Sequence, residues 1–397
     1  MKKIMIVGAG ILQTYVIKKA RELGYYVIGV DANPKAFGLS YVNEYKLIDI
    51  IDENSCLNYA KECCIDGIIT AATDYGVLTV SYVSSYLGLP GINYSSAKII
   101  KNKYNVRQLL NKQKADDTPQ YFEVSKVDDV KNIMSLIIYP VIVKPCDGSG
   151  SRGVVRVNNE KELLFAVENA IISSLTKKAL VETFIEGQEY GVESFVLGDD
   201  IFILGIMKKR MTNPPYYAEL GHSIPSDLSN NLEIKVKNVV NKTIKALNIN
   251  YGAVNMDILI SNDNKVCVVD IGARMGGNLI GSHIIPLSTG IDYMGNIIKS
   301  SVSDEVDFSF KHSQVVSTSI LALSPGKIKR IPSLQSLSEQ NEILDLVFNK
   351  KEGDVISFYK NNLDGCGYVV TTGKDASIAS DIAFKYRYII DQLIERY

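Results

Sequence analysis

Buried-strand runs and amphipathic stretches take turns along the first 95 residues of the chain. Lys3–Gly8 contains the unbroken apolar run Ile4–Val7, as a strand covered on both faces requires. Thr14–Leu23 has helical spacing of its apolar residues and stops at Gly24. Tyr26–Asp31 reads as a second strand and Gly67–Ala71 as a later one. This alternation predicts βαβ units on a parallel sheet, a Rossmann-like N-terminal α/β domain over residues 1–95. Pro90-Gly91 marks a turn close to its end.

The pattern then changes. Residues 96–112 predict a lysine-rich helix. Beyond Pro119 come strands at Pro140–Lys144, Gly153–Val157, Ala179–Ile185 and Tyr190–Leu197. The last leads through a Gly198-Asp199-Asp200 turn into Ile201–Met207. Residues 232–248 read as a helix and 253–271 as a hairpin. A third region starts near Ser301, with a turn at Ser324-Pro325-Gly326, a strand Gly365–Val370 and a final helix Ala376–Arg396.

The hairpin carries the sharpest chemical signal. Ala253, Asn255, Asp257 and Leu259 alternate on one face of its first strand. Val266, Val268, Asp270 and Gly272 alternate on one face of its second. With Asp263-Asn264 as the loop residues, Asp257 and Asp270 stand directly opposite, and a small slip makes them diagonal. Both carboxylates then share a face, their Cβ atoms roughly 5–8 Å apart. Facing like charges on an apolar hairpin are destabilising, and a divalent cation removes the conflict. Oxygen-only donors favour Mg²⁺ or Mn²⁺ over zinc. Arg274 follows four residues later, placed to meet an anion developing beside the metal.

Two lysines add to this. Lys103 falls in helical register with Ile99, Val106 and Leu110, where a cation either snorkels or meets a buried anion. Lys144 ends a strand and is followed by Asp147-Gly148-Ser149-Gly150-Ser151-Arg152-Gly153. A glycine- and serine-rich loop between strands offers backbone N–H groups to phosphates. It lacks the GxxxxGK[ST] spacing of a Walker loop. In Leu180–Glu189 a strand runs into a glycine turn. Its end can present an edge to adenine, and Glu189 can accept from ribose hydroxyls.

Composition narrows the field. A chain of 397 residues allows about two to four domains of roughly 100–200 residues each. The formal charge of -1 gives no footprint for nucleic acid or an anionic membrane surface. No run approaches the roughly 20 apolar residues of a membrane span. Lys2-Lys3 and the run Ile4–Val7 imitate a signal peptide, but Gly8 and Gly10 break it and no cleavage site follows. Six cysteines without a CxxC pair, and three histidines, argue against zinc and fit a reducing cytosol. Gly8-Ala9-Gly10 between strand and helix is two-thirds of a dinucleotide fingerprint, with Gln13 in place of the third glycine and Asp31 where a ribose acid would sit. NAD(P)-dependent oxidoreduction is therefore a competing reading.

Taken in order, these segments resemble the ATP-grasp superfamily over nearly the whole chain, and within it the carboxylate–amine ligases that join amino acids, with biotin-carboxylase-like architecture. The resemblance implies an α/β chain: a pre-ATP-grasp domain (residues 1–95), a two-lobed α+β ATP-grasp domain (96–300) whose mobile lid covers about 118–186, and a small C-terminal α+β domain (301–397). It implies that Lys103 and Lys144 bind phosphates and that the loop of Gly148, Ser149, Gly150, Ser151 and Gly153 closes over ATP. It matches Glu182 and Ile185 to the adenine edge, Glu189 to the ribose, and Asp257 and Asp270 to Mg²⁺ (or Mn²⁺). Arg274 matches the arginine at the acyl phosphate, and Glu219 and His222 the Glu-x-x-His segment of the substrate pocket. Where many relatives read Glu-x-Asn-x-Arg, this chain has Asp270-Ile271-Gly272-Ala273-Arg274, which implies one cation held firmly by the protein. The implied partners are small carboxylate and amine substrates in the cytoplasm, with a homodimer as the assembly. The nearest alternative is an ATP-dependent carboxylase of the biotin-carboxylase or purine-biosynthesis type.

Overall fold

The computed structural model describes every residue except Ser149, Ser151 and Pro215, and of Leu363 the backbone only. The N-terminal region forms a four-stranded sheet in the order Glu44–Leu47, Tyr26–Asp31, Lys3–Val7, Gly67–Ile69, with every pairing parallel. Helices Ile11–Glu22, Glu53–Cys63 and Val77–Leu87 belong to the same region. The strands Lys3–Val7 and Tyr26–Asp31 bury Ile4, Met5, Ile6, Val27 and Ile28 completely, as their apolar runs require. Glu44–Leu47 has no such run because it is an edge strand exposed at all its positions.

A second, antiparallel sheet orders Tyr121–Val124, Ala179–Thr183, Val141–Pro145 and Val155–Val157. The helix Glu160–Ser173 covers it with Leu163, Ala166, Val167 and Ala170. Asn159 caps that helix by accepting from the Glu162 N–H, and Glu160 and Glu162 complement its N-terminal dipole.

The third sheet has eight antiparallel strands: Val266–Gly272, Tyr251–Ser261, Gly187–Leu197, Asp200–Met211, Glu219–Ile224, Val316–Ile320, Gly367–Thr371 and Ile343–Phe348. Its ladder passes directly from Ser223 and Ile224 to Ser317 and Val316, so hydrogen bonding is continuous across residue 301. One face packs under the helix Asn230–Ala246. Val236, Val239, Val240 and Ile244 recur at helical spacing there and meet Val254, Met256, Ile258 and Val268. The edge strand Val266–Gly272 is shielded: Asp117 accepts from the Val266 N–H and Asp116 from the Val268 N–H, each at 2.8 Å.

One expected element is split. Residues 96–112 are not a single helix; Tyr94–Ile100 ends and Lys103–Gln113 begins afresh. Asn102 makes the break, its side chain accepting from the N–H groups of Tyr104 and Asn105. Ile99 therefore lies on a different helix from Val106 and Leu110. Lys103 is a first-turn residue at a helix start, where its side chain is free to leave the axis.

Candidate active site

Asp257 and Asp270 face each other across the hairpin. The route differs from the regular register read from the sequence. Ile258 to Ile260 pair one residue out of step with Asn255 to Asp257, leaving a bulge at Val269. Val266 and Val268 consequently point into the core with Ile258 and Ile260, not to the face of Asp270 as simple alternation predicts. The bulge turns Asp270 over to the face of Asp257. It also frees the Val269 carbonyl, which accepts from Arg107 Nη2 at 2.8 Å and from Lys144 Nζ at 3.4 Å.

Each of the facing acids has a lysine on it. Lys103 Nζ lies 2.6 Å from Asp270 Oδ1 and donates at 3.0 Å to the Gly148 carbonyl. Burial pushes the Asp270 carboxyl up, and Lys103 outweighs it and holds it low. On the other strand, Lys209 Nζ lies 2.9 Å from Asp257 Oδ1, 3.4 Å from Glu189 and 3.6 Å from Glu219. Lys209 is buried. That disfavours its charge, but the three carboxylates prevail and hold the ammonium above its ordinary range. Burial raises the carboxyl of Glu189 against the pull of Lys209.

Lys144 and Glu182 form a buried pair at 2.5 Å, with Arg107 on the other carboxylate oxygen. Burial lifts the Glu182 carboxyl, and the two cations together bring it down to about 2. Its carboxylate is thus committed inside the protein. Burial depresses Lys144 despite that partner. Glu219 accepts from Asn278 Nδ2 at 2.6 Å and stands 3.3 Å from His222 Nδ1. His222 is buried, which lowers its pKa and keeps the ring neutral. Glu219 and His222 are on a strand of the large sheet.

Arg274 leaves the hairpin toward the N-terminal sheet. Its Nε and Nη2 take both oxygens of Asp74, at 2.9 and 3.0 Å, and Nη1 reaches Asn255 Oδ1 at 3.3 Å. Behind it lies Glu193, fully buried, accepting from Tyr293 Oη at 2.6 Å, Asn255 Nδ2 at 2.9 Å and the Gly276 N–H at 3.0 Å. Burial pushes this carboxyl up to about 7 in spite of the three donors.

These groups open on one cavity of about 1180 Å³, bounded by the two antiparallel sheets and, from the N-terminal region, by Leu12 and the loop Ala72–Tyr75. Lys103, Lys144, Glu182, Ile185, Glu189, Glu219, Asp257, Asp270 and Arg274 all line it, with Gly148 and Gly150. His222 and Gly153 stand outside its lining. Gly150 and Gly153 have φ of +67° and +71°, the left-handed region that makes glycine the suitable residue in this loop. Ser149 and Ser151 lie outside the described residues. Among the described residues no three carboxylate, thiol or imidazole groups gather as a metal site. The two facing acids suit a hard cation that takes its remaining oxygens from phosphates and water.

The N-terminal glycine turn is filled by its own neighbours. Asp31 accepts from the Ala9 N–H at 2.8 Å, and Gln13 lies over the turn with Nε2 donating to the Ala71 carbonyl at 2.5 Å. The acid that would take a ribose is used on the backbone, and the side chain at the third glycine position covers the first two.

Comparison with known proteins identifies the domains. Residues 137–282 match the sequence profile of the ATP-grasp domain, and residues 319–387 that of L-amino acid ligase C-terminal domain 2. The chain contains an ATP-grasp domain, followed by an L-amino acid ligase C-terminal domain 2. This ATP-grasp chain is 24% identical to an uncharacterized protein of Sinorhizobium fredii over 92% of its own length and 77% of that protein's. It is 23% identical to the carbamoyl phosphate synthase large chain of Pseudothermotoga lettingae over 69% of its length, but spans only 26% of that relative. The L-amino acid ligase of Bacillus licheniformis superposes with a TM-score of 0.86 at 20% identity, covering 100% of this chain and 99% of that one. The mixed α/β class and the ATP-grasp fold expected from the sequence are therefore present.

Five residues of the site escaped the sequence reading: Asp74, Arg107, Glu193, Lys209 and Asn278. Three had a signal. Arg107 is one helical turn beyond Lys103. Glu193 shares the face of Glu189 at period two, and Lys209 alternates inward with Met207.

Proposed function

We propose that this ATP-grasp chain is an ADP-forming carbon–nitrogen ligase that joins a carboxylate, an amino acid, to an amine through an acyl phosphate. The observation that carries this reading is the grouping of Asp257, Asp270, Lys103, Lys144 and Arg274 around a single cavity. Two facing acids that each hold an ammonium, beside an arginine aimed by Asp74, suit the handling of phosphates and a developing acyl phosphate.

In this reading Lys103 and Lys144 bind phosphate oxygens, and Ile185 and the strand end at Glu182 border the adenine, with Glu189 at the ribose. Asp257 and Asp270 hold Mg²⁺ (or Mn²⁺), which when bound shields the phosphate charge. Arg274 orients the substrate carboxylate. A carboxylate oxygen forms a bond to the γ-phosphorus as the bond to ADP breaks. The amine nitrogen then bonds to the acyl carbon, phosphate leaves, and the nitrogen gives up a proton. Glu219 and Asn278 border the part of the cavity assigned to the amine, with His222 behind Glu219. The acyl phosphate is sensitive to water, which gives the loop Gly148–Gly153 a purpose as a cover. A cytoplasmic setting and a homodimer belong to the same proposal. Among the described residues no helix is long and apolar enough to cross a membrane.

The test is an ADP-release screen with amino acids singly and in pairs, run beside bicarbonate. We expect ADP with a pair of amino acids and a condensed product lighter than the two by one water in the mass spectrum. ADP formed with bicarbonate alone would assign the chain to the carboxylases.

A further inference from the structure

Lys209 has unusual surroundings. Its ammonium is met by three carboxylates from three strands, Asp257 at 2.9 Å, Glu189 at 3.4 Å and Glu219 at 3.6 Å, with only 4% of the side chain exposed. It reaches Asp257 across the intervening strand Gly187–Leu197. On the facing strand Asp270 is likewise occupied, by Lys103 at 2.6 Å. Two carboxylates directly opposite each other repel, and here ammonium groups answer that repulsion without any metal.

We propose that Lys209 is a resident counter-ion at the metal acid Asp257, so that a divalent cation does not bind the free protein and enters only together with nucleotide. The inference rests on the reading of Asp257 and Asp270 as metal ligands. A bare cation has to expel an ammonium from a buried, well-paired position and leave it beside a new double charge. A nucleotide changes that balance. Its phosphates bring negative charge and oxygen ligands for the metal. They also give the released ammonium an anion to meet, while Glu189 and Glu219 keep it in place. Lys209 then serves twice, as a placeholder before loading and as a cation at the phosphates after it. The first role makes it a positioning residue that couples metal entry to nucleotide entry.

The test uses the full chain and Mn²⁺, whose free aqueous ion gives an electron paramagnetic resonance signal that disappears on binding. With wild-type protein alone we expect the signal to persist, and to fall when ADP is added by more than ADP lowers it without protein. In Lys209→Met and Lys209→Gln, checked for folding by circular dichroism, Mn²⁺ alone should bind at least about tenfold more tightly than in wild type, a difference of about 1.4 kcal/mol. Wild-type protein that takes up Mn²⁺ as tightly without ADP as with it overturns the role of Lys209 and leaves the nucleotide site standing. Folded variants that bind bare Mn²⁺ no better than wild type overturn it too. Failure to bind Mn²⁺ even with ADP, together with no thermal shift from Mg-ADP, removes the metal reading itself. The wild-type arm decides the question even where a variant does not fold.

Discussion

Asp74 takes Arg274 by both of its carboxylate oxygens, at 2.9 and 3.0 Å, and so ties the loop after the N-terminal sheet to the hairpin of Asp257 and Asp270. A two-point contact fixes the plane of a guanidinium as well as its position. Arg274 is also bonded to Asn255, so the loss of Asp74 leaves it anchored on one side and free to swing. Asp74→Ala should lower the rate of ADP release by about ten- to a hundredfold, the cost typical of misplacing a group at the reacting centre. The KM for ATP should stay near wild type, because the groups assigned to phosphates and adenine are elsewhere. A steady-state titration of ATP and of the carboxylate substrate separates the two. A rise confined to the KM for ATP would count against this role.

The facing pair Asp257 and Asp270 makes a second prediction. Replacing either by asparagine keeps the shape and removes the charge that a hard cation needs. We expect at least about a hundredfold loss of kcat, on the scale of removing one preorganised electrostatic contact from a reacting centre. Folding should survive in Asp257→Asn, since Lys209 retains Glu189 and Glu219. The measurement is ADP release at saturating magnesium beside a thermal melt, and unchanged ADP release would remove Asp257 from the metal site.

Arg107, Glu182 and Lys144 form a charge cluster that is almost wholly inside the protein. Breaking one partner of such a pair strands a buried charge. Arg107→Met leaves Glu182 with Lys144 alone and the Val269 carbonyl without its better donor. It should cost about 3–5 kcal/mol of stability, read from urea denaturation as a lower midpoint at unchanged slope. A change within about 0.5 kcal/mol, as at an ordinary surface site, would show that the cluster carries little of the fold.

The parts of this architecture written in local pattern were legible. Periodicity of two and of 3.6 located the N-terminal strands, the hairpin and the helix Asn230–Ala246, because their buried faces are covered by continuous apolar residues. The facing of Asp257 and Asp270 was legible too, although the bulge at Val269 was not. A one-residue bulge follows from the demands of neighbouring groups, here Arg107 and Lys144 on a freed carbonyl, and leaves no mark in the alternation. Glu44–Leu47 was missed for lack of a buried face, and the break at Asn102 because its capping role depends on a single side chain. Asp74 and Lys209 were hidden for another reason. Their partners lie at least 20 residues away in sequence or on other strands, so only the assembled sheets bring the charges together.

Glu193 supplies the last prediction, and its sign follows from burial. The carboxyl is fully buried and pushed up to about 7 from an ordinary 4.5. Between those values the folded protein holds a proton that the unfolded chain has released. Stability from this group is therefore fully present below about pH 4.5 and is lost as pH rises through about 7. A shift of this size corresponds to about 3 kcal/mol. Glu193→Gln keeps an oxygen for Tyr293 and Gly276 but has no proton to lose. Unfolding free energies of the two proteins, measured from pH 4 to pH 8, should diverge by roughly that amount, with the glutamine variant gaining on wild type as pH rises. Parallel curves would mean that the three donors around Glu193 keep it ionised throughout. Arg274 would then face a permanent carboxylate behind Asn255, in place of one that gains its charge near neutrality.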